Sequence, residues 1–304
     1  LRRALAINPG LMNANTWLDT ELDAVGNLRA GIQLREKTFQ RDPLHRPTFG
    51  NLQQSYMVMG QNEKALEMLD SLQAHLPGDA NLIGDYGEVY FMTGHLAEAQ
   101  VQFQQAYDTE PLDSVNRFWY GLTLLHARQY ELITKISPQR ITTLALSRLG
   151  RVEDALILGN REISKGQNTT AYFQALVENQ RFAELVNVLE SRWSDLDGYS
   201  RNWPGRRGYG YDSMGYIAQA YRKLGNDAKF DDAMSRFKAS LDAQLAEGAD
   251  NWVLNRSRAH YAMLANDYEG AINSLEKSND QGDYVDTFNA NAWPVIQPHN
   301  GDQR

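Results

Sequence analysis

The chain has 304 residues, sets 30 Lys and Arg against 38 Asp and Glu for a formal net charge of −8, and contains no cysteine. An acidic balance argues against a general nucleic-acid binder, whose affinity comes from Lys and Arg on phosphates, and against attraction to anionic lipid. Without thiols there is neither disulfide nor thiolate chemistry, which leaves cytoplasm and periplasm both open, and no apolar run in this segment approaches the ~20 residues that cross a bilayer.

From the N-terminus, Pro9, Pro43, Pro77 and Pro111 follow one another at a constant 34 residues. A fixed period of this length marks a stacked-repeat architecture. Leu1, Ala4 and Pro9 fall at repeat positions 24, 27 and 32, so the chain is expected to open inside a second helix of a longer protein. Residues 12–45 keep only Leu18, Leu22, Gly26 and Pro43, with Trp17 and Phe39 supplying bulk out of register. Residues 46–79 are nearly complete: Phe49, Leu52, Gln53, Tyr56, Gly60, Ala65, Leu69, Leu72 and Pro77 stand at positions 4, 7, 8, 11, 15, 20, 24, 27 and 32. Residues 80–113 place Ile83, Tyr86, Gly87, Tyr90, Gly94, Ala99, Phe103, Ala106 and Pro111 at the same positions. Residues 114–135 keep Tyr120, Gly121 and Leu124 before Pro138 disturbs the second helix. Four divergent hairpins follow, around Gly150, Arg181, Gly225 and Tyr268.

Each copy specifies two helices. Glycine at 15 turns the chain between them, and proline at 32 ends the second because it cannot extend the hydrogen-bond ladder. The small residue at 8 is expected to lie against the small residue at 20, with aromatic and aliphatic groups at 4, 7, 11 and 24 filling the space between. Gln53 departs from this at position 8, so the contact there is expected to be looser.

These residues resemble the tetratricopeptide repeat (TPR) family. The resemblance implies an all-α, right-handed α-solenoid of antiparallel helix pairs, about eight hairpins in all. The expected divisions are regular repeats over 1–135 (12–45, 46–79, 80–113, 114–135), divergent hairpins over 136–282, and a C-terminal capping segment over 283–304. In the cap, Trp293, Val295 and Ile296 would cover the last repeat. Residues 269–304 are also similar to the ends of TPR regions in bacterial adenylate cyclase-like proteins and winged-helix regulators, with Gln303 where that pattern has proline. This likeness implies a sensory or regulatory part of a larger bacterial protein.

In TPR proteins the first helices line a concave face through positions 2, 5, 6, 9, 12 and 13. Carried onto this chain, those positions give a peptide-binding groove of Trp17, Asn51, Gln54, Met57, Asp85, Glu88, Phe91, Phe118 and Leu122, beside Thr20 and Asp23. Phe91 and Phe118 are expected to form an exposed apolar wall, and Asp85 with Glu88 to favour neutral or basic segments. The partner is therefore expected to be a protein or peptide, in a non-enzymatic role. Of the basic clamp by which chaperone-associated members hold a C-terminal carboxylate, Asn51 alone is in place. The oligomeric state is left open.

Catalytic and cofactor signatures are not found. The six histidines form no i, i+4 pair with metal-site spacing, no phosphate-cradling glycine loop ends in Lys-Ser or Lys-Thr, and neither cofactor nor metal is expected. Residues 198–212 concentrate Arg201, Trp203, Arg206 and Arg207 among tyrosines and glycines, and form a second candidate site. Arginine among aromatics can pair with carboxylates or phosphates, although plugging an irregular junction between repeats is the favoured role. The alternative from another class is an α-helical toroid enzyme acting on carbohydrate. A toroid gives no reason for glycine, alanine and proline to recur at fixed positions.

Overall fold

The structure is a computed structural model that describes all residues except 9, 25–26, 137–138, 166–169, 194, 203–212 and 284–304. Among the described residues every regular element is a helix, and none is long and apolar enough to cross a membrane. Helix α1 (Arg2–Ile7) precedes eight antiparallel pairs. These are α2 (Met12–Ala24) with α3 (Leu28–Arg41), α4 (Arg46–Val58) with α5 (Asn62–Gln73), α6 (Ala80–Met92) with α7 (Leu96–Thr109), and α8 (Ser114–His126) with α9 (Tyr130–Ile136). They continue as α10 (Gln139–Arg148) with α11 (Val152–Ser164), and α12 (Thr170–Glu178) with α13 (Phe182–Trp193). After the short α14 (Leu196–Asn202) come α15 (Met214–Lys223) with α16 (Asp227–Ala246), and α17 (Trp252–Leu264) with α18 (Tyr268–Asp280). Helix α9 stops at Ile136, two residues before Pro138, as that proline requires.

The periodic prolines Pro43, Pro77 and Pro111 lie in the turns that leave the second helices. Two residues after Pro77 and Pro111, Asp79 and Asp113 cap the next helix, accepting from the Leu82 amide at 2.8 Å and the Asn116 amide at 2.7 Å. From α4–α5 onward, the turn inside each hairpin is more uniform than the sequence. After the first helix one residue adopts a left-handed conformation: Gly60 at φ +70°, Gly94 at +82°, Gly150 at +77° and Gly225 at +71°. Arg128 and Gln180 at +57° and Asn266 at +60° take the same place. In every case the next amide reaches back to a carbonyl of the helix's last turn, Gln61 to Tyr56, Arg181 to Leu176 and Asp267 to Ala262 all at 2.8 Å. One reversal geometry therefore spans the regular and the divergent hairpins.

In the third pair positions 8 and 24 meet directly. A Cβ built on Gly87 would stand 2.9 Å from the Phe103 ring, so glycine there is what lets the ring lie across the first helix. In the second pair Gln53 occupies position 8, fully buried, and its amide donates to the Asp85 carbonyl at 3.2 Å. In the first pair the two places hold Asp19 and Arg35, a buried ion pair at 2.8 Å. Position 8 thus accepts a glycine against phenylalanine, an amide that bonds the next hairpin, or one half of an ion pair.

Two apolar cores run through the stack, and they interlock. One gathers Phe49, Leu69, Phe91, Phe103, Leu124 and Ile133, yet includes Trp252 and Val253 from the last pair. The other gathers Phe173, Leu185, Ile217 and Phe237, yet includes Leu28 and Val58 from the first two. The last hairpin therefore packs against the opening ones as well as against its neighbours.

Two stability outcomes follow from this geometry. Gly87→Leu should overpack the Phe103 contact and cost about 1–3 kcal/mol in circular-dichroism melting, and an unchanged midpoint would contradict the 8–24 contact. Gly150 has no atom within 4 Å of a built Cβ, so Gly150→Ala reports backbone strain alone. It should cost about 1 kcal/mol, whereas Gln180→Gly should gain a similar amount.

Candidate functional site

At the N-terminal end α2, α3 and α4 enclose a solvent-facing cleft of about 40 Å³ lined by Thr20, Asp23, Leu28, Ile32, Arg35, Asn51, Gln54, Ser55 and Val58. A space of this size admits water or the tip of a side chain. Its floor is a charge network. The Arg35 guanidinium is 2% exposed, donates to Asp19 Oδ1 at 2.8 Å and Ser55 Oγ at 2.8 Å, and bridges to both oxygens of Asp23. Two carboxylates share one guanidinium, so the cleft carries a net negative charge. Arg35 Nε and Asp19 Oδ2 are buried without a hydrogen-bond partner among the described residues. Burial, partly offset by Arg35, pushes the Asp19 carboxyl up to about 6. Asn51 and Gln54 present half-buried amides to the cleft, and Trp17, 64% exposed, stands one helical turn before Thr20.

The middle of the expected groove is occupied from within. Met57, Asp85, Glu88, Phe91 and Leu122, expected to face a partner, are all buried, while Phe118 is half-buried against the core and Trp119. Phe91 is 1% exposed, its ring centroid 5.8 Å from Trp119, 4.9 Å from His126 and 5.8 Å from Trp252. Asp85 is bound by both terminal nitrogens of Arg46, which also lies over the Phe49 ring at 4.7 Å. Burial first, then the adjacent Asp85, holds the Glu88 carboxyl well above the usual carboxylate range. Asp85 therefore balances the charge of Arg46, and burial favours the neutral form of Glu88.

The last hairpin contributes to this enclosure at Phe91. The Asp250 amide and the Asn251 side-chain amide both donate to the carbonyl of Val58, at 3.0 and 2.9 Å, across 193 positions for Asn251. Val58 ends α4, so this carbonyl is one that the helix itself leaves open. Trp252 lies 5.9 Å from His126, and a Cβ on Gly282 would fall 2.5 Å from the Gly94 amide nitrogen. Arg29 Nε reaches the Glu247 carbonyl at 3.1 Å. Val58, Phe91 and His126 stand at groove positions 13, 12 and 13 of three successive first helices.

Asp19, Arg35 and Ser55 of the cleft were not among the expected site residues. A charge at positions 8 and 24, where small and aromatic residues belong, was the available signal. The side chain of Arg201 and all of Trp203, Arg206 and Arg207 lie outside the described residues, as do 284–304 of the expected cap. Among the described residues no cluster of three or more His, Asp or Glu is placed to hold a metal ion.

Phe91→Ala should behave as a core truncation and cost about 3–5 kcal/mol in denaturant unfolding. A loss under about 1 kcal/mol would mean that the ring is not enclosed. For Asp19, a folded-state value raised to about 6 over 3.8 means its contribution is fully present below about 3.8 and is lost as pH rises through about 6. Relative to Asp19→Asn, the wild type should therefore lose stability between pH 4 and 7, and a pH-independent difference would contradict the buried placement.

The sequence matches no family model and no curated protein. Solved structures do match. A chain of the APC/C hetero-tetramer Cut9–Hcn1 aligns with TM-score 0.50 at 12% identity over 83% of this chain and 52% of that one, so the chain spans about half its length. A tetratricopeptide repeat protein from Parabacteroides merdae ATCC 43184 aligns with TM-score 0.38 at 12% identity, over 90% and 94% of the two chains. The TPR domain of P58(IPK) aligns with TM-score 0.29 at 15% identity, over 92% and 96%. At 12% identity the likeness to the Cut9–Hcn1 chain concerns the fold alone, and with the 34-residue period and the paired helices it shows an all-α solenoid of helix pairs like that of tetratricopeptide proteins.

Proposed function

We propose that the protein is a non-enzymatic interaction module, and that it binds an extended peptide across the surface of α2, α3 and α4, with the tip of one side chain entering the cleft between them. The observation that carries the reading is the coincidence, at one place, of an exposed indole with half-buried amides above a negatively charged floor. Trp17 supplies a rigid apolar anchor, Asn51 and Gln54 supply groups able to bond a peptide main chain, and Asp23 favours neutral or basic side chains over acidic ones. The toroid-enzyme alternative has no such support, since the strongly perturbed carboxylates Asp85 and Glu88 are enclosed away from this cleft. We read the module, on the resemblance of residues 269–304, as the regulatory part of a longer bacterial protein.

The test is selection of peptides from a displayed library on the whole protein, followed by titration against variants. Trp17→Ala should weaken the selected peptide by about 2 kcal/mol while leaving the melting temperature in place, because the ring is exposed. Gln54→Ala should weaken it less, and added salt should weaken basic peptides most. Equal affinity for wild type and both variants would place the site elsewhere.

A further inference from the structure

We propose that the wall formed by the C-terminal ends of α4, α6 and α8 is a helix-binding seat, filled in this structure by the chain's own α17. An external partner for it is a helix of the same chemistry, with an asparagine cap, an indole at the first helical position and a guanidinium one turn later. The inference rests on the interaction-module reading but concerns a different surface from the Trp17 cleft.

Three observations carry it. First, the occupant is assembled without the seat. Asn251 caps α17 by accepting from the Leu254 amide at 3.0 Å, Ser278 Oγ donates to the Trp252 carbonyl at 2.8 Å, and Arg256 pairs with the buried Asp283 while lying 4.6 Å over the Trp252 ring. Second, the fit is shaped by backbone. Gly60 and Gly94 on the seat and Gly282 on the occupant have positive φ, and a built Cβ on any of them would stand 2.8 Å or less from the opposing backbone. Third, the contact is incompletely satisfied. Trp252 Nε1 is buried with no acceptor among the described residues. Unpaired buried groups weaken a contact relative to an apolar one of equal area.

The seat can be vacated without unfolding a repeat. Hairpins of a solenoid otherwise touch only their neighbours, so the long-range contact can be lost while α17 stays packed on α15 and α16. In that packing His260 lies 6.0 Å from Phe237 of α16 and 5.4 Å from Tyr216 of α15. The exchange is one of populations: a partner helix binds in proportion to the fraction of molecules whose seat is open.

The experiment uses the full chain and a fluorescein-labelled synthetic peptide of residues 248–283. Asn251→Ala and Trp252→Ala are compared with wild type by fluorescence anisotropy, with circular dichroism as the check on helicity. Helicity should be retained, and the Trp252→Ala protein should bind the peptide at least about tenfold tighter than wild type, with Asn251→Ala between them. Unlabelled peptide should compete, and the same peptide bearing W252A should not. Equal binding by all three proteins, equal competition by the altered peptide, or loss of helicity in both variants would overturn the proposal, the last by showing the hairpin to be an inseparable part of one core. None of these outcomes bears on the effect of Trp17→Ala at the cleft, so the two readings fail separately.

Discussion

A reversal built on one left-handed residue closes the first helix onto the second in each of the seven hairpins from α4–α5 to α17–α18, and much of the molecule follows from it. Because the next amide always returns to a carbonyl of the finished helix, the second helix leaves at a repeated angle whatever its sequence. The energetic demand is small where the residue is glycine and larger at Arg128, Gln180 and Asn266, which accept the conformation without the freedom glycine has. Uniform reversals generate uniform stacking. That is how hairpins with little common sequence continue a single solenoid.

Stacking then decides what each hairpin buries. The slot between positions 8 and 24 holds a ring on glycine in the third pair and an ion pair in the first, and the difference matters for function. Glycine with Phe103 makes a dry contact of one core. Asp19 with Arg35 instead leaves charge at the base of an open cleft, with Asp23 and Ser55 drawn into the same network. A buried pair of this kind is weak evidence for stability, since desolvation offsets much of its attraction. At a surface cleft beside exposed Trp17, it is the feature on which the proposed recognition role rests.

Much of this was legible in the sequence, and the reasons for the rest are physical. The prolines at 34-residue spacing and the glycines at position 15 located the turns, because each residue meets a backbone requirement that few others meet. The reversals at Arg128, Gln180 and Asn266 carried no such mark, since hydrogen bonding and packing impose the conformation there against local preference. Accessibility of the groove was misread for Met57, Asp85, Glu88, Phe91 and Leu122. A 34-residue period describes how a hairpin meets its neighbours and holds no information about a contact such as Asn251 with Val58. Asp19 and Arg35 were readable in principle, as charges at two positions reserved for small and aromatic groups.

The central claim is that the last hairpin rests on the ends of α4, α6 and α8. A chain without cysteine allows paired labels at chosen places, and Glu63 on α5 and Glu276 on α18 are both exposed. Spin labels on Glu63→Cys and Glu276→Cys, measured by pulsed dipolar spectroscopy on the otherwise unaltered protein, report the span between the second hairpin and the eighth. A seated hairpin gives one narrow distance population that broadens and lengthens when Trp252→Ala is added. A broad distribution already present in the parent, unchanged by Trp252→Ala, would contradict the account.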